Sequence, residues 1–172
     1  NQSLEKNHKR PFIWLELEIP SYPQNSVMYL WRMRTTPQVL ERAKKDNFKL
    51  ICSPGEYAYF DYPQAKNDLP NVDWMPTLTL QRVYEFNPAF SLTAKEEKQY
   101  ILGVEATLWG ESVKDVFRAF YMTYPRALAL SEAGWTEMPK RDWQQFTQKL
   151  DLQLQYLLHK GINYRPPVEL HQ

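Results

Sequence analysis

Two apolar runs with a helix-forming segment between them constrain the fold of this chain most. Val27-Met-Tyr-Leu-Trp31 is nearly all apolar, and Phe48-Lys-Leu-Ile-Cys-Ser53 is a second short run of strand-forming residues. Between them lies Thr36-Pro-Gln-Val-Leu-Glu-Arg-Ala-Lys-Lys-Asp46, which reads as a helix. Thr36 is placed to cap it, Pro37 to occupy its first position, and the basic residues fall late, where they suit the helix dipole. Strand, helix, strand at this spacing is a right-handed parallel crossover, so the expected class is α/β.

Two further strands flank this unit. Phe12-Ile-Trp-Leu-Glu-Leu17 alternates, and Ile101-Leu-Gly-Val-Glu-Ala-Thr-Leu108 is apolar with period-two character. Only about nine residues, Pro20 and Pro23 among them, separate the first strand from Val27. That is short for a crossover containing a helix, leaving either an antiparallel pair or a parallel pair without its helix. Pro54 to about Phe90 forms a long proline- and aromatic-rich excursion carrying Tyr57, Tyr59, Phe60, Asp61, Tyr62 and Trp74. It is too aromatic for disorder, and loops of this length in compact domains are functional when ordered. Short helices are expected over Thr77–Tyr84, from a Ser112 cap through Met122, and over Arg126–Ala133, ending at Gly134. The last helix opens at Pro139 or Lys140 and closes at Gly161. Its Trp143, Phe146, Leu150, Leu154 and Leu157 form a core stripe without chemistry.

Composition removes several function classes. At 172 residues and 43% hydrophobic the chain can build one sizeable core. A net charge of +1, with acids and bases interspersed, leaves no footprint for nucleic acid or an anionic membrane, and no apolar run reaches membrane-spanning length. His8, His159 and His171 are scattered and Cys52 is the single cysteine, so neither a metal site nor an internal disulfide is expected. No glycine-rich phosphate loop is present, no cofactor is implied, and Ser53-Pro-Gly is a turn rather than a nucleophile elbow.

What remains is an aromatic and acidic set at or after strand ends: Trp14, Trp31, Tyr59, Asp61, Trp74, Trp109 and Glu111. The aromatic content is unusual, with six tryptophans and eleven tyrosines; some of these are core, but carbohydrate sites also draw on these residue types. Singly, each tryptophan reads as core. Trp109 and Glu111 stand two apart, as do Tyr59 and Asp61, so on a strand each pair would share a face. Parallel α/β proteins bind ligands at the C-terminal ends of their strands. An indole beside a carboxylate suits a sugar, whose C–H face stacks on the ring while its hydroxyls donate to the carboxylate.

Leu50-Ile-Cys-Ser-Pro54, Tyr59-Phe-Asp61, Trp74, Val83-Tyr-Glu-Phe-Asn-Pro88, Gly103-Val-Glu-Ala-Thr-Leu-Trp-Gly-Glu111 and Tyr124-Pro-Arg-Ala-Leu-Ala-Leu-Ser-Glu-Ala-Gly-Trp135, in this order, resemble glycoside hydrolase family 20, the β-N-acetylhexosaminidases. The resemblance runs from Phe12 to about Leu158. It implies that residues 12–172 are the C-terminal half, strands five to eight, of a TIM (β/α)8 barrel, with the long aromatic loop after strand seven and helices at the C-terminus. Residues 1–11 are then a polar lead-in from a missing upstream region. It also implies that the first two strands are parallel, because the family lacks the helix between strands five and six.

The same resemblance assigns roles. Trp14, Trp31 and Trp109 correspond to the tryptophans that box the acetamido methyl, and Tyr59 to the tyrosine whose hydroxyl holds the acetamido oxygen. Asp61 and Glu111 correspond to carboxylates that bind sugar hydroxyls, and Trp74 to a further tryptophan lining the pocket. The implied chemistry is retaining hydrolysis of terminal N-acetylhexosamine, assisted by the substrate's own acetamide. The family's adjacent Asp-Glu pair has no counterpart, since no Asp-Glu dipeptide occurs in the sequence. The chain alone is therefore expected to be inactive. The implied partners are N-acetylhexosaminide glycans and the N-terminal half of the barrel, on the same or a separate polypeptide; the family's bacterial members suggest a periplasmic or secreted setting. A non-catalytic carbohydrate-binding or scaffold protein derived from this fold is the alternative.

Overall fold

In a computed structural model of the chain, residues 2–15, 22–23, 25–68, 74–90 and 92–168 are described. In chain order the elements are α1 (Gln2–Lys6), β1 (Phe12–Trp14), β2 (Val27–Leu30), α2 (Thr36–Asp46), β3 (Lys49–Cys52), α3 (Gly55–Ala58), α4 (Leu80–Tyr84), α5 (Ala94–Tyr100), β4 (Ile101–Val104), α6 (Val116–Thr123), α7 (Arg126–Trp135) and α8 (Trp143–His159). They fall into two compact units. One comprises Asn1–Gly55 with Pro88–Glu105, the other Glu56–Asn87 with Ala106–Gln172.

The first unit holds the sheet. Its four strands are all parallel, in the order β1-β2-β3-β4. Phe12 pairs with Val27 in parallel register, which decides the question that spacing alone left open. The expected strand Phe12–Leu17 is regular only to Trp14, and its Glu16 and Leu17 lie outside the described residues. Ile13, Met28, Leu30, Leu50 and Cys52 share one face by register, and the last four are at most 1% exposed. That face is the core of the unit, alongside Val39, Leu40 and Ala43 from α2.

Capping departs from the sequence reading at one residue. The cap of α2 is Thr35, not Thr36, because a 3-10 turn over Met33–Thr35 leads into the helix; the Thr35 hydroxyl donates to the Arg32 carbonyl at 2.8 Å. Asn47 ends the helix in the left-handed conformation, which asparagine tolerates. Before β4 stands α5, which periodicity did not reveal. It is too short for a stripe, but Thr93 and Glu96 close a capping box at its start.

The second unit is helical. Asp115 caps α6, three residues after the expected Ser112, which lies in a 3-10 turn over Gly110–Ser112. Helix α7 runs through Gly134 to Trp135 and packs against α4. Asp142 caps α8, and Phe146, Leu150, Leu154 and Leu157 are buried as the stripe demands. Gly161 takes φ +71° to reverse the chain, with Ile162 N–H donating to the Leu157 carbonyl at 2.9 Å. Arg141 fastens the unit by donating to the carbonyls of Tyr84, Phe86, Ala133 and Thr136.

Candidate functional site

The strand expected over Ile101–Leu108 stops at Val104. Trp109 is extended, but Glu111 falls within the 3-10 turn, so the pair does not present one strand face. Glycine and serine around Glu111 favour a turn over a strand. Tyr59 forms a parallel bridge with Thr107, with Phe60 N–H donating to the Thr107 carbonyl at 2.7 Å and Thr107 N–H to the Ala58 carbonyl at 2.9 Å. The chain then turns at once: Tyr62 N–H donates back to the Tyr59 carbonyl at 3.2 Å, and Asp61 lies inside that turn. Neither two-residue pair is a strand pair. Proximity arises from turns instead.

Within the second unit these turns gather most of the expected residues. The Tyr59 and Trp109 rings meet edge to face at 6.2 Å; Tyr59 lies 5.6 Å from Tyr62, and Tyr62 meets Trp74 at 6.4 Å. Tyr62, to which the sequence reading gave no role, joins Trp74 to the others. Trp74 and Trp109 keep 70% and 42% of their surface exposed. Asp61 is buried at 4% exposure. Its Oδ1 has no hydrogen-bond partner, and the backbone N–H groups of Asp61 and Trp109 act on the carboxylate electrostatically. Burial holds the Asp61 carboxyl above its ordinary range and Glu111 adds to this; the two N–H donors and the Arg126 charge work the other way.

Trp14 and Trp31 belong to the first unit. Trp14 stacks on Tyr29 at 4.4 Å and 15°, and the Tyr29 hydroxyl donates to Glu105 Oε2 at 3.3 Å. Trp31 Nε1–H donates to the Leu15 carbonyl at 2.8 Å, and the Arg32 guanidinium lies 3.6 Å over its ring. Cys52 is not a nucleophile: burial pushes its thiol up to about 12. Among the described residues no group of three metal-ligating side chains exists, and no helix is long and apolar enough to cross a membrane.

Sequence reasoning missed Arg126. It is wholly buried and donates to four carbonyls: Phe60 at 2.6 Å, Tyr62 at 2.9 Å, Leu78 at 3.1 Å and Met122 at 2.6 Å. A signal was available. Arg126 opens a helix whose next four residues are apolar, where a cation opposes the dipole and has no local reason to sit.

Residues 1–138 match the family described as glycosyl hydrolase family 20, catalytic domain. A β-hexosaminidase of Akkermansia muciniphila is 39% identical over 94% of this chain and 32% of its own length; one of Porphyromonas gingivalis is 30% identical over 96% and 21%. Among solved structures, an exo-β-N-acetylglucosaminidase from Vibrio harveyi, in complex with N-acetylglucosamine, superposes with a TM-score of 0.85 at 32% identity, covering 96% of this chain and 26% of that one. A further β-N-acetylhexosaminidase gives 0.83 at 38% identity, covering 91% and 33%. The chain thus spans about a third or less of these relatives, and it belongs to glycosyl hydrolase family 20, as part of the catalytic domain.

Proposed function

We propose that this chain is the C-terminal half, strands five to eight, of the TIM barrel of a β-N-acetylhexosaminidase, and that it supplies walls of the sugar site without the catalytic acid. Residues 12–172 constitute that half and residues 1–11 lead into it. Its substrates are glycans ending in N-acetylhexosamine, and its partner is the N-terminal half of the barrel. The observation that carries the reading is the Asp61 carboxylate: buried, with Oδ1 unpartnered, in the same unit as two part-exposed indoles. A buried acceptor without a donor is costly, and a sugar hydroxyl is a donor of the right kind.

In this reading Tyr59 donates to the acetamido oxygen, and Trp14, Trp31 and Trp109 enclose the acetamido methyl. Clamping the acetamide beside the anomeric carbon supplies part of the proximity advantage of substrate-assisted hydrolysis. Excluding water strengthens the tyrosine hydrogen bond that holds the oxygen in place. Asp61 and Glu111 accept from ring hydroxyls, and Trp74 borders the pocket. Protonation of the leaving group belongs to residues outside this chain, because the family's Asp-Glu pair has no counterpart in the sequence.

The test is a chromogenic N-acetylglucosaminide assay, with intact mass, on the complete protein and on the chain alone. Activity in the complete protein and none in the isolated chain is expected. Hydrolysis by the chain alone would overturn the division of labour. Sugar binding with no hydrolysis in either sample would favour a carbohydrate-binding protein.

A further inference from the structure

We propose that Arg126 is a positioning residue for the Tyr59–Tyr62 turn, fixing where Tyr59 and Asp61 present their polar atoms. The inference rests on the sugar-site reading above. Two of the four carbonyls that Arg126 holds, those of Phe60 and Tyr62, flank Asp61 on either side. The other two are Leu78, where the aromatic excursion returns, and Met122 in the last turn of α6, whose carbonyl lacks a partner within its helix. One guanidinium thus ties the turn to the helical layer. Its planar fork reaches several acceptors at once, which an ammonium cannot do.

Burying a cation is expensive, and the carbonyl dipoles offset only part of that cost. Among the described residues Arg126 makes no ion pair. The opposite charges acting on it are Asp61 and Asp68 from the excursion; Arg165 from the C-terminal segment and Arg118 from α6 act against it. On Asp61 the charged influences are Glu111, which favours the neutral acid, and Arg126, which favours the carboxylate. Fastening a turn needs only donors. The Arg126 charge additionally favours the Asp61 carboxylate, the form that only accepts, against the larger opposing effect of burial.

The experiment uses the complete protein with Arg126→Ala, Arg126→Lys, and the reference variants Tyr59→Phe and Asp61→Asn. A chromogenic N-acetylglucosaminide reports kcat and KM against pH, and circular dichroism reports folding. Arg126→Ala is expected to lose at least about ten-fold in kcat/KM, on the scale of one or two charge-assisted hydrogen bonds. The acid limb of its profile should move to higher pH, because Asp61 then protonates more readily. Millimolar guanidinium should restore part of the activity where methylammonium at equal ionic strength does not. Arg126→Lys keeps the charge, so its kcat/KM should fall while its acid limb stays in place; this variant carries the test if the alanine does not fold. Folded Arg126 variants with kcat/KM within about two-fold of wild type and an unmoved acid limb, beside impaired Tyr59→Phe and Asp61→Asn, would overturn the role of Arg126 alone. If the two reference variants are also unimpaired, the sugar-site reading fails and the role of Arg126 with it.

Discussion

Tyr59 and Trp109 meet ring to ring at 6.2 Å, yet they should fail differently when changed. If the Tyr59 hydroxyl holds the acetamido oxygen in the geometry from which it attacks the anomeric carbon, Tyr59→Phe lowers turnover more than it weakens ground-state sugar binding. Stopped-flow turnover set beside equilibrium titration of the complete protein separates the two, and equal losses would remove that role. Trp109→Ala should weaken binding of N-acetylglucosamine far more than of glucose, because the indole is assigned to the acetamide rather than to the ring. Calorimetric titration with both sugars checks this; a matched loss would discard the acetamide box. The tyrosine, the tryptophans and the carboxylates were all legible as candidates, being polar-tipped or flat side chains near expected strand ends. Arg126 was marked only by its charge at a helix start, and nothing local to its helix reveals which distant carbonyls need a donor.

At the scale of elements, caps and stripes make separate predictions. The Glu96 carboxylate holds both the Thr93 backbone and hydroxyl at the head of α5 and pairs with Lys44 of α2. The Lys44 ammonium, ahead of the Thr93 donors, pulls its carboxyl down to about 2. A depressed carboxyl stabilises above its unfolded pKa and loses that contribution as pH falls through its folded value. Glu96→Gln should therefore lower the melting temperature near neutral pH, by an amount that shrinks as pH falls from 4.5 toward about 2, read by thermal melts across that range. Leu150 of α8 is 2% exposed, so Leu150→Ala should cost about 2–5 kcal/mol, measured by denaturant unfolding. The α8 stripe was readable because five residues repeat at helical spacing. The α5 helix, seven residues long, offered no such repeat, and its cap was the only available mark.

For the whole molecule, the sheet order leaves β1 and β4 as edges, and Phe12 and Leu102 on them are each 52% exposed. Parallel edges with exposed apolar side chains ask for covering strands. Adding the N-terminal half of the barrel as a separate polypeptide should lengthen the life of this chain in solution and bring hydrolysis with it. Size-exclusion chromatography and the chromogenic assay, run on the mixture and on each part, check both; two halves that neither associate nor hydrolyse would count against the half-barrel reading.

By itself the sequence determined what depends on local order: apolar runs of strand length, a helix between two of them, a core stripe along α8 and the residue types a sugar site draws on. These follow from periodicity and side-chain chemistry, which neighbours in the chain carry. The tertiary structure decided what depends on distant contacts. It set β1 parallel to β2 across a connection too short to declare its direction. It replaced the expected strand faces with turns at Asp61 and Glu111, and it placed an arginine from the head of α7 on the carbonyls that flank Asp61. Backbone carbonyls left over by turns and helix ends must find donors wherever the fold brings them, and that demand is not written in the spacing of any one segment.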